Sequence, residues 1–522
     1  FVAYGASAGG HNGNASAVGP IDLHQNHLYP FRAAVEAGAL SVMTGYNSVD
    51  GVPCTADSLL LKGLLKSAWG FRGFVVSDLF SINGLYSAHR TSSSLAEAAE
   101  LALSAGVDMD LGASAFAHLT PDARLDEAVE RILLLKFRMG LFENPYILPG
   151  KVRTPEHRAL ALEVARQGIT LLENKENALP LARAVRKIAV LGPNAHAMYN
   201  QLGDYTAPQQ EDEIITVYEG IKAAFPEAEV KFSRGVAIRD TALTDWNAAL
   251  ALAEDAEVIV AVVGGSSARD FQTVYRETGA AETVQTSVQD MENGEGYDRA
   301  SLHLMGRQLD FLKALKATGK KLVVIYIQGR PLDMDWASTE ADALLCAWYP
   351  GAYGGQAIAE VLAGTLNPSG RLPISVPRDV GQLPVYYNQL LPTGGDYVEM
   401  SRKPLYPFGY GLSYTDFTYS DLSLGTIGLR FRLKNRGDRD GHEVVQVYVR
   451  PKKGSIVQPV KQLRRFERVY LKAGEEKWLS IPLEEKDFMT VDRTLNWSKS
   501  SKEFDIFVGT SSEDIRLTAT WR

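Results

Sequence analysis

Gly73-Phe74-Val75-Val76-Ser77-Asp78 is the stretch on which the reading of this 522-residue chain turns. Three large apolar residues in a row, two of them β-branched, behind a glycine fit a short strand buried on both faces, the kind found in parallel sheets. The strand runs directly into Ser77 and Asp78. A rigid element therefore delivers a carboxylate to a defined place, which nucleophilic chemistry requires. An aspartate in that position also fits a helix N-cap or a turn, and the stretch alone leaves both readings open.

Three further β-type segments surround it: Phe1 to Gly5, Ala39 to Asn47 and Gly106 to Leu111. Helical patterns lie between them, at Pro30 to Ala37, Asp57 to Trp69 and Ser94 to Ser104. An amphipathic helix is predicted over Pro121 to Met139, with Leu125, Val129, Ile132, Leu133 and Leu135 on its apolar face and Gly140 at its end. Strand–helix alternation implies a parallel sheet. In a (β/α)8 barrel the strand C-terminal ends build the active site. Those ends carry Tyr46 and Asn47, then Ser77 and Asp78, then Asp108 and Asp110. Four such units make half of a barrel that typically runs to about 250 residues. Either the sheet is open or its other half lies upstream of Phe1.

Beyond residue 150 a helix is expected over Glu156 to Glu173, and a second α/β region follows. Its strands are predicted at Lys187 to Leu191, Val230 to Phe232, Val258 to Val263, Lys321 to Ile327 and Ala343 to Trp348. Its helices are predicted at Val217 to Ala224, Leu243 to Ala253, Gly306 to Ala317 and Gly355 to Ala363. This reads as a complete α/β sandwich. Gly192-Pro193-Asn194 and Gly264-Gly265 follow strands but lack the spacing of a dinucleotide or P-loop fingerprint, so tight βα turns are expected there. Between Gly264 and Gly306 runs a long polar excursion containing Asn293-Gly294-Glu295-Gly296-Tyr297-Asp298-Arg299. Loops this long inside a compact domain are usually functional or disordered.

From about Pro407 the pattern turns to alternating strands: Leu429 to Leu433, Glu443 to Val449, Lys477 to Ile481 and Phe504 to Val508. Gly437 to Gly441 reads as a hairpin turn. The result is a small β-sandwich of the immunoglobulin or fibronectin type III kind. The organisation expected is thus 1–150, 151–400 and 401–522.

Composition narrows the function. The net charge is −8, with 45% hydrophobic and 22% charged residues, and no basic cluster suits nucleic acid. No apolar run approaches the roughly 20 residues of a membrane helix. Cys54 and Cys346, the two cysteines, stand far apart in apolar stretches and are expected to be free buried thiols. No His/Asp/Glu cluster has metal-ligand spacing.

In this order the segments resemble glycoside hydrolase family 3, in its multidomain β-glucosidase branch. The resemblance is carried by Phe1 to Gly5, Ser41 to Asn47 with Gly51-Val52-Pro53, Trp69 to Asp78, and Ala105 to Met109. It continues through Gly294 to Arg299, Pro407 to Tyr414, Gly441 to Val449 and Pro459 to Leu463. It implies a retaining exo-acting β-glucosidase that removes terminal β-D-glucosyl residues from oligosaccharides, by a mechanism that needs no metal or organic cofactor. Asp78 falls on the family's nucleophile and Glu295 on its acid/base, with Glu277 in the same long loop as the alternative. Tyr46 falls on an aromatic beside the nucleophile, and Met43 is placed in the same pocket.

Two departures qualify the resemblance. Leu79 stands where many members carry tryptophan, leaving Phe80 or Phe271 to supply an aromatic platform. The family's sugar-binding Lys-His pair precedes the position of Phe1, so an upstream barrel half, on the same polypeptide or a second chain, is the expected partner. A β-xylosidase of the same mechanism is the nearest alternative, and a non-catalytic carbohydrate-binding protein the alternative of another class. A homodimer is left open. The substrate class suggests a periplasmic or secreted setting.

Overall fold

The computed structural model describes residues 1–112, 114–146, 150–268, 290–294, 297–425 and 428–522. In the first region the strands Ser41–Met43 and Phe74–Val76 pair in parallel, with Met43 opposite Val76. Met109 adds a parallel bridge to Val76. Three extended segments thus run side by side, and their C-terminal ends open together at residues 44–47, 77–79 and 109–112.

Phe1 to Gly5 does not form the expected strand. Ala3 takes a left-handed φ of 56°, and Tyr4 and Ala6 hydrogen-bond back to Phe1 and Ala3 at 3.3 and 3.0 Å. The Phe1 amine reaches the Met43 carbonyl at 3.3 Å, but the Val2 and Ala3 carbonyls then accept from the Asn47 amide and the Ser16 hydroxyl, so side chains and local turns take the place of a ladder.

The helices begin where their caps dictate. Ser94 accepts from Glu97 N to start Leu95–Ala105, and Asp122 accepts from Arg124 N and Leu125 N to start Ala123–Arg138. Leu59–Ala68 is also helical, but its turns are wide and π-like. The apolar cluster of this region gathers Leu61, Leu65, Phe71, Val75, Ile82, Leu85 and Ala98, Ala99, Ala102 and Ala105 of Leu95–Ala105.

The second region is a six-stranded sheet in the order Thr170–Asn174, Ala343–Trp348, Lys321–Ile327, Val258–Gly264, Lys187–Leu191, Glu229–Ser233. All pairs are parallel except that of the edge strand Thr170–Asn174. That edge strand corrects the helix expected through Glu173. The helix, Pro155–Gly168, stops at Gly168, and the β-favouring Thr170-Leu171-Leu172 pairs with Leu345 and Cys346 instead.

Successive strand residues go to opposite layers. Val260, Val262, Val323 and Ile325 pack under Val217–Ala224 and Gly354–Ala363, while Ile259, Ala261, Val324 and Tyr326 pack under Trp246–Asp255 and Gln308–Ala317. Cys346 and Cys54 are free and buried, as expected.

In chain order the five parallel strands lie 2-1-3-4-5 from the outer edge inward, a doubly wound arrangement. Its switch point falls between Lys187–Leu191 and Val258–Gly264. The long polar excursion leaves the sheet there.

The third region packs a three-stranded sheet (Phe417–Gly425, Gly428–Asn435, Glu476–Pro482) on a four-stranded one (Gln462–Leu471, Gly441–Pro451, Phe504–Gly509, Ile515–Trp521). Gly437 to Gly441 is not a hairpin turn. The strands it joins belong to different sheets, so it arches across the Phe431–Val447–Ile506 core.

Candidate functional site

Asp78 lies two residues past the strand Phe74–Val76 and is 9% exposed. Its position follows from the parallel ladder. Thr44 N–H donates to the Val76 carbonyl at 3.0 Å, Ser77 N–H to the Met109 carbonyl at 2.8 Å, and Leu111 N–H to Ser77 Oγ at 2.9 Å. The carboxylate accepts from Leu79 N–H at 2.7 Å. The Tyr46 hydroxyl touches it too and donates to the Leu79 carbonyl at 2.9 Å. Burial pushes the Asp78 carboxyl above the usual aspartate range, and the Leu79 amide and Tyr46 hydroxyl pull against that shift.

The chain turns sharply after Asp78. Phe80 sits in the left-handed region with φ 59°, a conformation costing on the order of 1–3 kcal/mol for a side chain of that kind. The turn starts the helix Ser81–Ser87 directly behind the carboxylate. His89 then reaches back, its Nε2 2.9 Å from the Tyr46 carbonyl. Because a carbonyl can only accept, Nε2 carries the proton. Met43, by contrast, lines an apolar groove with Val42, Cys54, Leu61, Leu65 and Trp69, whose walls include neither Asp78 nor Tyr46.

Asp108 does structural work. It is buried, receives Lys66 at 2.8 Å and Arg131 at 2.8 Å, and accepts from Val75 N–H at 2.8 Å, tying the central strand to two helices. Asp110 accepts from Phe116 N–H at 3.2 Å.

Of the candidates in the long excursion, Glu295, Glu277 and Phe271 lie outside the described residues. The residues flanking Glu295 are anchored. Glu292 and Arg299 form an ion pair at 2.5 Å with side chains 0% and 7% exposed. Asn293 accepts from the Tyr349 hydroxyl at 3.0 Å, and Tyr297 N–H donates to the Gly294 carbonyl at 3.0 Å. Gly294 takes a φ of 129°, a backbone conformation that favours glycine.

Asp298 ties this loop to the first region, accepting from Asn12 N–H at 3.2 Å with His11 Nδ1 at 3.3 Å. No sequence signal pointed to that contact, which spans 287 positions. At the switch point the Asn194 amide donates to the Gly265 carbonyl at 3.1 Å, and a Cβ on Gly264 would strike the Ile327 carbonyl at 2.1 Å. This crevice is filled by the protein itself, in keeping with tight turns and not a nucleotide cradle. Among the described residues no group of three or more His, Cys, Asp or Glu is placed to hold a metal.

Comparison with known proteins gives three family matches. Residues 1–136 match the glycosyl hydrolase family 3 N-terminal domain, 169–414 its C-terminal domain, and 443–512 a fibronectin type III-like domain. The chain is 34% identical to a periplasmic β-glucosidase of Salmonella typhimurium over 99% of its own length and 72% of the relative's. It is 35% identical to a β-xylosidase of Formosa agariphila over 98% of its length and 73% of the relative's. The solved structure of a β-glucosidase from Listeria innocua in complex with glucose superposes with a TM-score of 0.88 at 32% identity, covering 100% of this chain and 72% of that one.

Proposed function

The chain belongs to glycoside hydrolase family 3, and from that premise we propose that it cuts terminal β-D-glucosyl residues from the non-reducing ends of oligosaccharides, with retention at the anomeric carbon. The observation that carries this reading is Asp78, a largely buried carboxylate fixed at the open ends of parallel segments by the Leu79 amide and the Tyr46 hydroxyl.

In the mechanism proposed, Asp78 attacks the anomeric carbon and becomes a glycosyl ester. Glu295, assigned from its Gly-Glu-Gly context with Glu277 as the alternative, protonates the leaving oxygen and then activates the water that releases the sugar. A retaining pair needs its carboxyl groups roughly 5–5.5 Å apart. The docking of Asp298 on His11 and Asn12 supports a site shared between the first and second regions. Tyr46 steadies the nucleophile, and Leu79, Phe80 and Phe271 are proposed to border the sugar sites, while Met43 lies in the apolar groove apart from them.

We place domain boundaries near 150 and 400 and assign the first domain to half of a (β/α)8 barrel. Its apolar groove and the open edge of Ser41–Met43 are surfaces that the other half would cover, from the same polypeptide or a second chain. The Salmonella relative's periplasmic setting supports the same setting here. Among the described residues no helix is long and apolar enough to cross a membrane.

The test is hydrolysis of p-nitrophenyl β-glucoside and β-xyloside, run beside an intact-mass measurement of the active material. A clear preference for the glucoside supports the proposal. A preference for the xyloside favours the second reading, which the Formosa relative motivates. Sugar binding without turnover of either would make the protein a carbohydrate-binding one.

A further inference from the structure

Three hydroxyls from three separate segments meet beside Asp78. Thr44 Oγ1 lies 2.9 Å from Thr55 Oγ1 and 3.4 Å from Ser81 Oγ, and Thr55 Oγ1 lies 3.1 Å from Ser81 Oγ. Thr44, Thr55 and Ser81 are 3%, 2% and 4% exposed. One of these hydroxyls holds the Asp78 amide, and the main chain of Ser81 holds its carbonyl. Asp78 N–H donates to Thr44 Oγ1 at 3.3 Å, and Ser81 N–H donates to the Asp78 carbonyl at 3.0 Å.

The direction of the hydrogen bonds follows from the amide, which can only donate. Thr44 receives that proton and must pass its own to Thr55 or Ser81. Thr55 can end the chain on the Gly45 carbonyl at 3.4 Å. Within the turn that the Ser81 amide closes sits Phe80 with its left-handed backbone, which persists only where its surroundings over-determine it.

Packing alone does not call for this chemistry. Valine at Thr44 and Thr55 and alanine at Ser81 would fill nearly the same space without the cost of burying hydroxyls, and such paired replacements are often close to neutral for stability. What the hydroxyls add is orientation. We propose that Thr44, Thr55 and Ser81 are positioning residues that hold the Asp78 main chain so that its carboxylate is aimed before the sugar arrives. The proposal rests on the reading of Asp78 as the nucleophile, and none of the three is assigned contact with substrate.

The variant that separates aim from packing is Thr44→Val, which keeps the shape and removes the acceptor. Displacement of a reacting group by about 1 Å costs on the order of a hundredfold in rate. For p-nitrophenyl β-glucoside, kcat is therefore expected to fall by about ten- to a hundredfold with KM within about twofold, and Thr44→Ser to restore most of kcat. Unchanged kcat, or an equal loss in Thr44→Ser, overturns the proposal.

A second measurement needs no substrate. Amide hydrogen exchange at Asp78 and Ser81 in Thr44→Val is expected to quicken by about tenfold while exchange in the second region's sheet stays as it was. Unchanged exchange at both amides overturns the proposal. If Asp78→Asn leaves hydrolysis intact, the nucleophile reading falls by itself, and the exchange measurement still decides whether the cluster holds that main chain.

Discussion

The two α/β regions are built from the same kind of strand and end in opposite conditions. In the second region every residue of Val258–Gly264 is buried, helices cover both faces, and the switch-point crevice is filled by Asn194. In the first region the strand Phe74–Val76 has one full neighbour and a single bridge. The helix Ala123–Arg138 buries only Ala128 and leaves Val129, Leu133, Leu134 and Phe137 open, Phe137 at 55%. The closed sheet is where stability is made. The open one presents its strand ends, with Asp78 just beyond one of them.

Asp78→Asn should give the largest effect. Loss of a nucleophile is expected to lower kcat/KM at least about a thousandfold. Stability should move the other way. Asp78 has a raised carboxyl pKa in the folded protein, so the folded state binds its proton more tightly than the unfolded state does. Stability then falls as pH rises from the ordinary aspartate value through the raised one. A neutral amide escapes that penalty, and Asp78→Asn should melt higher than the parent at pH 7 by calorimetry.

The contrast between the sheets predicts unequal responses to substitution. Phe311→Ala, at a fully buried residue of the second region, should cost about 3–5 kcal/mol in urea unfolding. Leu134→Asp, on the open helix face, should cost less than about 0.5 kcal/mol and reduce self-association in sedimentation. Equal losses would mean that the first region's helix is covered in solution.

The loop between the two regions should be comparably sensitive. Glu292→Gln leaves the Arg299 guanidinium buried beside a neutral amide, and breaking a buried pair from one side costs about 3–5 kcal/mol. Because the pair brackets Glu295 in the sequence, activity should be lost at a lower urea concentration than the second region's tryptophan signal. Coincident midpoints would join the loop to the sheet as one unit.

The smallest expected effect is the most specific. Tyr46→Phe removes a hydroxyl that holds the Asp78 carboxyl down, so its pKa should rise further. On the proposed mechanism Asp78 must be ionised, so the acid limb of kcat/KM against pH should move to higher pH while the alkaline limb stays. An unmoved acid limb would detach Tyr46 from the nucleophile.

Much of this was legible in the chain. The apolar run before Asp78, the five parallel strands of the second region and four strands of the third are written in local pattern, because burial on two faces demands continuous apolar residues and burial on one face demands alternation, whereas Phe417–Gly425, Gln462–Leu471 and Ile515–Trp521 emerge only in the fold. Phe1 to Gly5 misled, since its backbone meets the Met43 carbonyl once and then turns, its next carbonyls taken by the Asn47 and Ser16 side chains. Gly437 to Gly441 misled in another way, since a turn motif does not say whether the strands it joins share a sheet.

The sequence by itself determined the family, the order of the domains and a carboxylate at the end of a buried strand, all of which depend on residues close together in the chain. Only the tertiary structure decided what surrounds that carboxylate. Thr44, Thr55 and Ser81, His89 behind Tyr46, and Asp298 against His11 are contacts between segments tens to hundreds of positions apart. Their residue types are ordinary, and only the path of the backbone brings their polar atoms within hydrogen-bonding distance.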